Sequence, residues 1–171
     1  MLSKETKQTI SKLHRIRNAF YNNEVSLLFI ELSLHWIADK ANKNLDERTY
    51  NFWGSDARSW TKRIYATYGI LENNDMNSAS IEFGIGRVGA TRSLENFSAL
   101  ENGYEYDQPS EFKDENGYWT FKDARTGLWV RMNGYVGKSF LYDAFSEYLM
   151  NKIWVVLYKQ AFDTIIGGIC K

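Results

Sequence analysis

The residues with the clearest chemical potential lie between positions 101 and 115. There Glu101, Glu105, Asp107, Glu111, Asp114 and Glu115 stand against a single lysine and are interleaved with Tyr104, Tyr106 and Phe112. Paired carboxylates beside aromatic platforms are the equipment of glycoside cleavage, in which one carboxyl group protonates the leaving oxygen and the other serves as base or nucleophile. That chemistry needs a dry cleft holding one pKa well above the other. Acids on a loop that carries Pro109, the one proline of the chain, are expected to face water or a partner instead. A carbohydrate-binding or glycan-cleaving role for the acidic and aromatic 101–132 segment is therefore the alternative reading.

A second pattern is Gly84-Ile-Gly86-Arg-Val-Gly89, a literal G-x-G-x-x-G directly after a predicted strand. A dinucleotide site requires a following helix whose N-terminus holds the pyrophosphate, then a parallel strand carrying the ribose-binding acid. Residues 90–103 lack an amphipathic helical pattern, and hairpin-connected strands are antiparallel, so no nucleotide cofactor is expected. His14 and His35 fall on different predicted helices, without a nucleophile and an orienting acid nearby in sequence, and no triad is expected. Two histidines and Cys170 cannot complete a four-ligand zinc site. No catalytic residue, cofactor or metal is assigned.

Composition narrows the class further. Twenty-one basic residues balance twenty-one acidic ones, so no global field draws the chain to nucleic acid or to an anionic membrane. At 171 residues with an apolar fraction of 44%, one domain with a sizeable core is expected. The single cysteine forms no internal disulfide. The first residues lack the apolar run of a signal peptide, and no stretch reads as the ~18 apolar residues of a membrane span, which predicts a soluble protein made in the cytoplasm. Aromatic residues reach 16% of the chain, which suits surfaces that become interfaces.

The elements that must position these residues follow from periodicity. Ile10, Leu13, Ile16 and Phe20 recur at helical spacing over 4–21, with a basic outer face that offers at most non-specific contact with DNA phosphate. Residues 24–43 form a second, largely buried helix after a break at Asn22-Asn23. Period-two alternation over 62–71 and 77–83, with a turn at Glu72–Asp75, predicts a hairpin across 62–84 that leaves Glu82 on its solvent face. The glycine-bearing stretch 84–103 is read as a flexible loop. A second hairpin spans 117–133, turning at Asp123–Gly127, and a long helix covers 139–166. The expected fold class is α+β, an antiparallel sheet of two hairpins packed against two N-terminal helices and one long C-terminal helix.

Three stretches in order, Ser55-Asp-Ala-Arg-Ser-Trp60, then IYATYGILENND, then Ala79-Ser-Ile-Glu-Phe-Gly84-Ile-Gly86, resemble the tail-completion or head-tail joining (neck, minor-capsid-like) proteins of long-tailed bacteriophages. Ile81-Glu82-Phe83-Gly84 stands where that family carries a V-E-F-G-T-G pattern. The likeness continues through Gly103-Tyr-Glu-Tyr-Asp107, Tyr118–Gly127 and Gly134-Tyr-Val-Gly-Lys-Ser-Phe140, over roughly residues 50–145. Ser139 replaces the family's proline before Phe140.

The resemblance implies a non-enzymatic virion protein, present in the host cytoplasm before assembly. It would close into a homo-oligomeric ring, six-fold or twelve-fold, as tail-completion or tail-terminator protein between head-connector and tail-tube proteins. It also implies that the glycine-rich loop is an assembly arm. The expected interface residues are Phe83, Gly84, Gly86, Arg87, Tyr104, Tyr106, Trp119, Phe121 and Trp129.

Overall fold

In the computed structural model the described residues are 3–48, 58–75, 78, 82, 84–85, 118–122, 126–132, 135–136 and 140–170. The first helix, α1, spans Lys4–Tyr21. Its N-terminus is set by Ser3, whose Oγ accepts the Thr6 backbone N–H at 3.1 Å, and Glu5 in the first turn complements the positive end of the helix. The predicted break follows. Asn23 sits at φ 58°, a left-handed conformation that asparagine tolerates, and its carbonyl accepts the Leu27 N–H at 2.9 Å. Helix α2 then runs Glu24–Arg48, beyond the predicted end at 43.

Strands β1 (Trp60–Ile64) and β2 (Gly69–Asn73) pair with each other, and the ladder is bounded by Tyr65 N–H to Tyr68 C=O at 2.9 Å and Asn74 N–H to Ser59 C=O at 2.8 Å. The first hairpin therefore turns at 65–68, and the predicted turn at Glu72–Asp75 is corrected. Ser78 and Glu82, expected on a strand, are helical. Positions 78 and 82 are four apart, a spacing that suits a helix as well as alternation suits a strand, and a segment this short does not arbitrate between the periods.

Strand β3 (Gly84–Ile85) pairs antiparallel with β6 (Tyr135–Val136), and β4 (Trp119–Lys122) pairs antiparallel with β5 (Trp129–Met132) as predicted. Gly127, at φ 68°, supplies the left-handed residue in the connection between β4 and β5. Among the described residues the three strand pairs are separate two-stranded ladders. The predicted C-terminal helix is two helices, α3 (Phe140–Met150) and α4 (Ile153–Cys170), divided where Lys152 takes φ 53°. The fold class is α+β.

The chain divides into two compact units. The first comprises Met1–Asp39, Trp60–Glu72 and Phe145–Lys171. Its core gathers Ala19, Val25, Ala161, Ile166 and Ile169, with Ile16, Leu28, Phe29, Leu32 and Ile165 packed around them. Aromatic contacts tie neighbouring helices together: Phe29 of α2 meets Tyr158 of α4 in a T-shaped contact at 5.6 Å, and Trp36 of α2 meets Tyr148 of α3 at 6.0 Å. Within this core the Tyr148 hydroxyl donates to Ser33 Oγ at 2.9 Å, and Ser33 donates to the Phe29 carbonyl at 2.8 Å, so neither buried hydroxyl lacks a partner. At Gly69 a Cβ would lie 2.6 Å from Ile30 Cγ2 and 2.8 Å from Leu34 Cδ1, so only glycine lets β2 approach α2 this closely.

The second unit comprises Lys40–Ser59 and Asn73–Ala144. Ala41, Leu45, Phe140 and Ala144 are buried in it, as is Asn44, whose Nδ2 donates to the Phe140 carbonyl at 2.9 Å. Arg58 forms an exposed ion pair with Asp46.

Candidate interaction surface

Two features of the described residues bear on function. The first is Glu82, the one buried charged residue among them, 6% exposed. Its Oε2 accepts the Leu141 N–H at 2.9 Å and its Oε1 accepts the Tyr142 N–H at 2.8 Å. The first turn of any helix leaves N–H donors without partners inside the helix, and here a carboxylate from far away in the chain meets two of them where the helix dipole favours an anion. Burial away from water pushes the Glu82 carboxyl above its usual range, with the nearby Asp143 charge adding to that; the amide hydrogen bonds act in the opposite sense without reversing it. Glu82 was expected on a solvent face and is a buried clamp. Its alternation with Ser78 and Ser80 hid this, and the lone acid within Ile81-Glu-Phe83 was the available signal.

Glu82 also joins two stretches that the resemblance singled out. The segment ending in Gly84 reaches the segment opening at Gly134 through this clamp and, next to it, through the pairs Gly84↔Val136 and Ile85↔Tyr135. Gly84 is thus engaged by β6. Phe83, Gly86, Arg87, Tyr104 and Tyr106 lie outside the described residues, as do the acidic segment 101–115, Gly89 and the 86–103 part of the predicted loop.

In the β4–β5 ladder Trp119 pairs with Met132, Phe121 with Val130, Thr120 with Arg131 and position 122 with Trp129. Directly opposed positions share a face, so Trp129 lies on the opposite face from positions 119 and 121. Trp129 is 72% exposed, and on the same face the Arg131 guanidinium stands 3.9 Å from the centre of the Tyr118 ring.

The second feature was not anticipated. In the first unit the helices leave large apolar side chains in water: Leu13 and Tyr21 on α1, Leu149 and Met150 on α3, and Val155 and Val156 on α4. Sequence reading gave these helices to the core, because apolar residues at helical spacing do not distinguish a core from an interface. Large apolar side chains left in water on three helices are the material from which a binding surface is made.

Helix α4 also corrects the reading of membrane potential. It is 18 residues long with mean hydropathy 1.3, long and apolar enough to cross a membrane, and 17% of it is buried. Counting uninterrupted apolar residues missed it because Lys159, Gln160 and Asp163 interrupt the run. Lys159 and Asp163 form an ion pair at 2.5 Å one turn apart on its exposed side.

His14 and His35 remain on separate helices, and His35 Nδ1 lies 2.8 Å from Lys62 Nζ. Among the described residues no group of three histidine, cysteine or acidic side chains could hold a metal. No protein family, curated protein or solved structure matches the chain.

Proposed function

We propose that this chain is a non-catalytic structural subunit of the neck of a long-tailed bacteriophage. In this reading it forms a ring that completes or terminates the tail and joins it to the head, between head-connector and tail-tube proteins. The observation that carries an assembly role is the apolar side-chain surface that the helices of the first unit leave in water. A folded subunit that exposes so many large apolar residues gains stability when they are covered, at about 25 cal/mol per Å² removed from water. The bacteriophage assignment rests on the ordered motifs between Ser55 and Asp143. It is supported by the way Glu82 and the β3–β6 pair bring two of those motifs into contact. The subunit needs no cofactor, and any contact with DNA passing through the ring is non-specific.

Labelling of purified virions with an antibody to this chain tests the reading. Label concentrated where head meets tail is the expected result; virions without the chain, or label spread over the head, would refute it.

The carbohydrate-directed alternative draws on the exposed Trp129 beside Arg131 and Tyr118. A glycan-array screen in which Trp129→Ala abolishes a signal given by the wild type would favour it.

A further inference from the structure

We draw no further inference here: the strongest candidate, the set of large apolar side chains that α1, α3 and α4 leave in water in the first unit, carries nothing further because nothing in the structure shows what covers it.

Discussion

Glu82 and Tyr142 are sixty residues apart in the chain, and the Glu82 carboxylate accepts the Tyr142 backbone N–H at 2.8 Å while its other oxygen accepts that of Leu141. The start of α3 is thus specified by a residue in a different segment. Ser139, standing where the resembling family has proline, lies outside the described residues; the anchoring of the helix start is seen at Glu82 and at Asn44, which donates to the Phe140 carbonyl. Replacing Glu82 by alanine leaves two partly buried N–H donors without their acceptor. The expected loss is roughly 1–3 kcal/mol for each group left unsatisfied, measured by urea denaturation. Glu82→Gln keeps one carbonyl acceptor but turns an amide N–H toward the second donor, so it should fall between alanine and the wild type.

The same carboxyl gives a pH dependence whose sign follows from its environment. Burial raises its folded pKa above the ordinary 4.5, so between 4.5 and the raised value the folded state binds more protons than the unfolded one. Its contribution to stability therefore falls as pH rises through that window and is largest on the acid side. Denaturation midpoints of wild type and Glu82→Gln across pH 4–7 isolate it: the wild type should lose stability relative to the variant as pH rises. A difference that does not change with pH would contradict the assignment.

The hydroxyl chain from Tyr148 through Ser33 to the Phe29 carbonyl predicts an asymmetry. Tyr148→Phe removes a donor and leaves Ser33 bonded to the carbonyl, at a cost of about 0.5–1.5 kcal/mol. Ser33→Ala strands the buried tyrosine hydroxyl and should cost more, about 1–3 kcal/mol. The double variant should cost less than the sum, because the stranded hydroxyl is then absent. Thermal or urea unfolding of the three variants measures this.

At Gly69 a methyl group would be driven into Ile30 Cγ2 at 2.6 Å. Ile30 is β-branched on a helix and has little rotameric freedom with which to yield. Gly69→Ala should therefore destabilise by about 1–3 kcal/mol, the usual cost of overpacking. A substitution that proved neutral in urea denaturation would show that β2 moves away from α2 without penalty.

Much of this architecture was legible in the residues, unevenly and for identifiable reasons. Helix α1 follows its period to both ends, because Ser3 caps one and Asn22-Asn23 breaks the other. The β4–β5 hairpin was legible from Trp119–Phe121 and the glycine at 127. Helix α2 outran its prediction because Asn44 and Leu45 are buried by tertiary packing that its apolar stripe does not announce. The turn at 65–68 contains none of the usual turn residues, whereas Asn73-Asn74-Asp75 imitates one, so the first hairpin was placed out of register. The break at Lys152 was equally silent, since neither glycine nor proline marks it.

Trp129, expected at an interface, is exposed, and the exposed apolar side chains of α1, α3 and α4 were not expected. Periodicity reports which residues share a face and is indifferent to whether the chain itself or another molecule covers that face.

The proposed role in joining head to tail is tested most directly by imaging particles made by a phage that encodes this chain and carries a stop codon in its reading frame, with the chain supplied from a plasmid as control. Filled or empty heads separated from free tails, with joined particles restored by the plasmid, is the predicted result. Intact tailed virions formed in the absence of the chain would contradict it.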